Sequence, residues 1–257
     1  MIASLGMYDF PDGRAANDRL WAGVRDRLRA AGIPAPEALT RGPDALWPAW
    51  ESPGLVLSQT CGLPYRARLR GRVTLVASPD YGLEGCPPGY YRSLLVARAE
   101  DPRGRVEEFD GARLVFSEDL SQSGWAAPQH HARRLGIALR PVLRSGSHAG
   151  SVRALSGGRA DIAGIDAHSW RLIGRNDPAA VARLRVIGAT DPTPATPFVT
   201  ARGRDAAAVF AALHAAVGAL SPADRAATGL RGIVRLPEAA YLAVPDPGAP
   251  ALPAQDG

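Results

Sequence analysis

Apolar residues in this chain come in short blocks separated by glycine, proline and charged turns. Ile2–Leu5 is such a block, closed by Gly6, and reads as a strand. Across 17–31 the pattern changes period: Leu20, Val24 and Leu28 share one helical face, and Gly32 supplies the stop. Leu55–Ser58, Val73–Ala77, Tyr91–Ala97 and Leu114–Phe116 read as further strands, and 66–72 alternates arginine with Ala, Leu and Gly. A second rhythm follows. Ser121–Gly124 opens a helix to about Leu135, Leu139–Leu143 is a strand, and His148–Leu155 is a short helix ended by Gly157-Gly158. Ile162–Ile165 is a strand, 166–173 a helix and Arg185–Ala189 a strand. A proline-rich crossing stretch, Asp191–Pro197, leads to strand Phe198–Ala201 and to helices over Ala206–Leu220 and Ser221–Thr228. From Pro245 onward Pro, Gly and Ala predict a loose tail. Strands alternating with helices make the class α/β with mostly parallel sheets.

Composition adds limits. The chain has 257 residues, enough for one large or two medium domains, and its 46% hydrophobic and 21% charged content is that of a folded globular protein. Every one of its 30 basic residues is an arginine, which excludes Schiff-base and P-loop lysine chemistry. Net charge is +5, but the arginines are interleaved with acids, as in Arg25-Asp26-Arg27, so no nucleic-acid stripe is expected. No apolar run approaches the roughly 18 residues of a membrane span. Cys61 and Cys86 are either two thiols or one bridge, whose loop of about 26 residues would stabilise by roughly 3 kcal/mol.

Candidate chemistry lies where strands hand over to helices. Ser121-Gln122-Ser123-Gly124 follows a buried strand and opens a helix, whose first amides are unpaired donors at the positive dipole end. Ser145-Gly146-Ser147-His148 repeats this arrangement at the next junction, and Asp166 follows the strand Ile162–Ile165. In open α/β sheets such junctions share the carboxyl edge, where ligands bind. The plainer reading makes Ser121, Ser147 and Asp166 helix N-caps and His148 a capping histidine. Tyr8, after the first strand, and Gln59, Thr60 and Tyr65, after Leu55–Ser58, form polar loops at a carboxyl edge of the N-terminal part. A Ser121–His148–Asp166 triad is disfavoured, because the G-x-S-x-G elbow is absent and the order differs from that of α/β-hydrolases. His148, Asp166 and His168 match no strong metal-ligand spacing. No catalytic residue, metal or cofactor is therefore expected.

From Gly111 to Trp170 the residues combine in a recognisable way. They are Leu114–Phe116, Ser121-Gln122-Ser123-Gly124, Pro128, Ser145-Gly146-Ser147-His148, Ser151-Val152, Ala154-Leu155, Gly158, Ala160-Asp161 and Ile165-Asp166. This stretch resembles the substrate-binding proteins of phosphate, phosphite and phosphonate ABC transporters, the phosphonate-binding, PhnD-like family. Pro64-Tyr65 and Thr193–Phe198 agree with the family's layout. The resemblance implies a two-lobed type II periplasmic-binding-protein fold with two crossing segments and a central ligand cleft. The crossings would fall near Ala97–Glu100 and Ala189–Pro194, making 1–97 with 190–257 one lobe and 98–189 the other.

The resemblance also implies that Ser121, Gln122, Ser123 and His148 grip a phosphorus oxyanion. Gln122 stands where the family often has threonine, and His168 where an acid would hold a ligand's amine. Phosphite, methylphosphonate or phosphate therefore suits this site as well as 2-aminoethylphosphonate. Expected partners are that small oxyanion and ABC permease subunits, with no nucleic acid, no membrane insertion and a monomeric state. The expected location is periplasmic if a leader precedes this sequence, cytoplasmic if it is complete. The alternatives are a cytoplasmic small-molecule sensor on the same fold and, more remotely, a thiamine-precursor-type enzyme.

Overall fold

The computed structural model describes residues 1–252 and folds as two units. Unit 1 is Met1–Tyr90 with Pro194–Val244, and unit 2 is Tyr91–Thr193 with the segment from Pro245. Twelve strands are present among the described residues. They are β1 (Ile2–Ser4), β2 (Leu55–Gln59), β3 (Val73–Asp80), β4 (Tyr90–Tyr91), β5 (Ser93–Arg98), β6 (Arg113–Phe116), β7 (Arg140–Arg144), β8 (Ile162–Asp166), β9 (Leu184–Ala189), β10 (Thr193–Pro194), β11 (Phe198–Ala201) and β12 (Gly232–Val234). The helices that matter below are α1 (Arg14–Ala30), α2 (Ala127–Arg134), α3 (His148–Ser156), α4 (Ala167–Asn176) and α5 (Ala206–Gly218). No single helix among the described residues is long and apolar enough to cross a membrane.

Unit 1 is built on a sheet of order β1-β2-β11-β3-β12. β1 and β2 are parallel, β11 lies antiparallel between β2 and β3, and β12 is antiparallel to β3. Leu55, Val56 and Leu57 of β2 are all buried, as expected for a strand covered on both faces. Each such side chain contributes roughly 1.5–3 kcal/mol by leaving water. α1 buries Ala16, Leu20, Trp21, Val24 and Leu28 and packs on α5. Gly23 permits that approach, since a Cβ there would lie 3.3 Å from Ala216 Cβ. The helix ends where expected: Gly32 has φ +74°, and Ile33 N–H donates to Leu28 O at 2.9 Å.

Unit 2 repeats the plan with order β7-β6-β8-β5-β9. β6 is parallel to β7 and β8, while β5 is antiparallel to β8 and β9. All five residues of β8 are buried. Gly164 at its centre has no room for a side chain: a Cβ would sit 2.1 Å from Pro128 Cγ and 2.9 Å from Ser123 O.

Several expectations change here. The sheets are mixed, because the strand that follows each passage between units (β5 in unit 2, β11 in unit 1) inserts antiparallel into its new sheet. For the same reason the first passage precedes Tyr91, not Ala97–Glu100: β5 is a central strand of unit 2. The second lies at Thr193/Pro194. The described part of the segment from Pro245 belongs to unit 2 instead of the first lobe, and Pro245, Pro247 and Gly248 are hydrogen-bonded to Trp125 and α2, not loose; the remainder of the expected loose tail, 253–257, lies outside the described residues. Residues 65–69 wind into a wide helical turn despite their alternation. Cys61 and Cys86 do not form a disulfide.

Candidate anion-binding site

In unit 2 the parallel strands β6, β7 and β8 end at one edge, and antiparallel β5 begins there. The loop after β6 leads to Ser121, whose Oγ accepts from the Gly124 amide at 2.9 Å and whose own O–H remains a donor. The first turn is wide. Both Trp125 N–H and Ala126 N–H donate to Ser121 O, at 3.1 and 3.0 Å, so this is a π-type opening of the α2 helix. Gly124 is required for it, because a Cβ would meet Ser117 Oγ at 2.2 Å. Gln122 and Ser123 are buried at 1% and 3% exposure.

The loop after β7 is tied to the loop after β6. Ser145 N–H donates to Phe116 O, and Gly146 N–H to Ser117 O, both at 2.9 Å. Ser147 Oγ caps α3 by accepting from Gly150 N at 3.0 Å. This places His148 at the first position of α3 with Nε2 2.8 Å from Ser123 Oγ. The two junctions therefore meet at one point. On the other side, Ser93 Oγ donates to Ser123 O at 2.9 Å, and Ser93 N–H donates to Thr190 Oγ1 at 3.1 Å. Ser93 and Thr190 support the turn, and sequence reading did not single them out. Their link to it depends on β5 pairing with β8 and β9.

Asp166 is buried and caps α4, its Oδ1 accepting from His168 N at 2.7 Å and Ser169 N at 3.3 Å. The capping reading accounts for Ser147 and for Oδ1 of Asp166. It does not account for Ser123 and His148, whose bond to each other caps nothing.

Burial holds the His148 imidazole below its ordinary value, while the charge of Asp166 and the Gly164 backbone pull it upward. The ring is neutral at neutral pH, so the Ser121–His148 cluster carries no cation. A linkage consequence follows. The folded state binds this proton more weakly than the unfolded state, whose histidine titrates near 6.5. The stability contribution is thus complete above about pH 6.5 and is lost as pH falls below it. Denaturant unfolding at pH 7.5 and 5.5 is expected to show a larger drop in the wild type than in His148→Asn. Equal drops in both would contradict a neutral His148.

Unit 1 holds a second polar cluster at its own carboxyl edge. Gln59 Nε2 donates to Tyr81 OH at 2.9 Å and to Thr196 Oγ1 at 3.0 Å, and Thr196 Oγ1 reaches Tyr8 OH at 3.4 Å. The Tyr8 and Tyr81 rings meet edge to face at 5.3 Å. Thr60 is fully buried beside Gln59, and its N–H donates to Pro197 O at 3.0 Å. Tyr81 and Thr196 were not among the expected site residues, while Tyr65, which was, lies elsewhere. Its OH donates to Glu238 Oε1 at 2.7 Å and its ring packs on Tyr241, within the cluster formed with Trp50, Leu55 and Leu69. Residues 62–69 coil into helical turns after β2, and Tyr65 lies within them. Among the described residues no group of three or more His, Cys, Asp or Glu side chains is placed to hold a metal.

Comparison with known proteins agrees with this architecture. PhnD1 from Prochlorococcus marinus, solved with methylphosphonate, superposes with a TM-score of 0.70 at 14% identity, covering 93% of this chain and 94% of that one. A binding-protein component of an ABC phosphonate transporter from Pseudomonas aeruginosa gives 0.68 at 14% identity, covering 94% and 83%. XAC2383 from Xanthomonas citri, solved with ATP, gives 0.67 at 18% identity, covering 95% and 94%. At these identities the likeness is one of fold, that of type II periplasmic binding proteins. No curated protein sequence matches the chain. The profile of the ABC transporter, phosphonate, periplasmic substrate-binding protein family matches residues 57–239, most of the chain, and the chain belongs to that family.

Proposed function

We propose that this protein captures a small phosphorus oxyanion (a phosphonate, phosphite or phosphate) in the periplasm and delivers it to ABC permease subunits, binding without chemical conversion. The observation that carries this reading is the meeting of Ser123 Oγ and His148 Nε2 at 2.8 Å on the first turn of the α2 helix. Two helix openings there bring amides and hydroxyls to one place, and neutral donors of this kind suit a tetrahedral anion. A neutral His148 donating from Nε2 to Ser123 Oγ leaves the serine proton to point at an anion oxygen, so an anionic guest selects that tautomer.

The unit 1 cluster of Tyr8, Gln59, Thr60, Tyr81 and Thr196 is read as a second set of polar groups suited to a ligand, with Tyr65 omitted. Asp166 spends Oδ1 on two helix amides. Because His168 stands where an acid would hold a ligand's amine, we place a ligand without an amine, such as methylphosphonate, phosphite or phosphate, ahead of 2-aminoethylphosphonate. The protein is read as a monomer.

Isothermal titration with these four anions and with ATP tests the reading. Saturable heat and a raised melting temperature are expected with at least one phosphorus oxyanion. Absence of both with every one, up to about 1 mM, removes the proposal, since ligand far above its Kd must stabilise the folded state. Binding of ATP alone would redirect it to nucleotides.

A further inference from the structure

The first turn of the α2 helix is fastened from outside by a segment remote from it in sequence. Trp125, two residues after Ser123, is buried, and its ring lies 5.3 Å from that of Phe116, the last residue of β6. Its indole Nε1–H donates to Gly248 O at 2.8 Å. Further along the helix His130 Nε2 bonds Pro245 O, and an Arg133 guanidinium nitrogen donates to Pro247 O, both at 3.1 Å. All three acceptors are carbonyls of one short run, Pro245-Asp246-Pro247-Gly248.

That run is built to present acceptors. Its prolines have no N–H to satisfy and restrict their own φ. Asp246 Oδ1 accepts from Gly248 N at 2.9 Å, and Gly248 has φ +83°, a conformation that glycine adopts without strain. The result is a stiff turn that aims the Gly248 carbonyl at the indole. Trp125 stands between this turn and Ser123. The Ser123–Trp125 backbone is also pinned by Ser121 O and by the close approach of Gly124 to Ser117.

Resting on the proposed anion site, we propose that Pro245–Gly248 is a positioning strap: by anchoring Trp125 it holds Ser123 and the neighbouring amides in their donor arrangement. Ligand affinity then depends on a segment that need not touch the ligand, and Trp125 is a positioning residue.

The test uses two variants, a chain ending at Val244 and Trp125→Phe, which keeps the ring and removes the N–H. Titration with methylphosphonate and inorganic phosphate is run well below the melting temperature. Each variant is expected to weaken binding about three- to tenfold, because each removes the Trp125–Gly248 bond, while the two further bonds that the shortened chain loses lie farther along α2. Because both remove the same link, Trp125→Phe in the shortened chain should add little more. Amide hydrogen exchange supplies a readout independent of any ligand. The amides of 123–126 are expected to exchange at least about tenfold faster in both variants while those of β8 do not change, since exchange reports local opening.

Unchanged affinity in a folded shortened chain, fully additive losses, or unaltered exchange at 123–126 each overturns the strap. Should the shortened chain fail to fold, Trp125→Phe alone decides by the same affinity and exchange criteria. Should the full chain bind none of the four anions named above while exchange responds as expected, the function proposed for the site fails and the strap's hold on the turn stands.

Discussion

Gly164→Ala is expected to destabilise the protein by about 3 kcal/mol, the upper part of the range for overpacking a core. The added methyl would sit 2.1 Å from the Pro128 ring and 2.9 Å from the Ser123 carbonyl, in a strand with no exposed residue. A proline ring on a helix cannot rotate away, and the carbonyl is backbone held by Ser93 Oγ. The accommodation must come from movement of α2 away from β8. For a chain of this size the melting temperature should fall by roughly 6–12 °C. Pro128→Ala in the same chain should recover much of that loss, because it removes the closer of the two atoms. Scanning calorimetry of the single and double variants measures both effects. A shift below about 2 °C for Gly164→Ala would mean that helix and strand are not packed as described. The same displacement carries Ser123 with it, so ligand affinity should fall in the single variant and return in part in the double.

Ser123→Ala is expected to weaken oxyanion binding by about 1–3 kcal/mol, the range for a hydrogen bond to a charged group, or roughly 5- to 150-fold in Kd. The variant removes the hydroxyl that both meets His148 and, on the proposed reading, faces the anion. His148→Ala should cost a similar amount, and the double variant less than the sum, because the two side chains act through one bond. Ser147→Ala supplies the contrast. Its Oγ caps α3 and does not meet His148, so stability should drop by about 1 kcal/mol with a smaller loss of affinity than in Ser123→Ala. Titration and denaturant unfolding on the four variants separate these outcomes. If Ser147→Ala lost as much affinity as Ser123→Ala, the site would depend on α3 being formed and not on the Ser123 hydroxyl.

Much of this molecule could be read from short stretches of chain. The strands β2, β6, β8 and β11 and the helices α1, α3 and α5 follow from apolar period and from stops such as Gly32. Ser121, Ser147 and Asp166 sit at helix starts because a side-chain oxygen reaching an amide two or three residues on is a purely local interaction. What such stretches do not contain is which strand lies beside which. The antiparallel insertion of β5 and β11 moved the first passage between units and brought Ser93 and Thr190 beneath the Ser123 turn. Gln59 finds Thr196 across 137 residues, and Trp125 finds Gly248 across 123. Tyr65 lies with Glu238 and away from the expected site because the chain after β2 coils into helical turns where the sequence predicts a polar loop. Local hydrogen bonds and periodicity are properties of neighbours along the chain. Strand order and long-range partners arise when the apolar faces of distant segments are buried together, so the contacts that shape the site were settled only by folding.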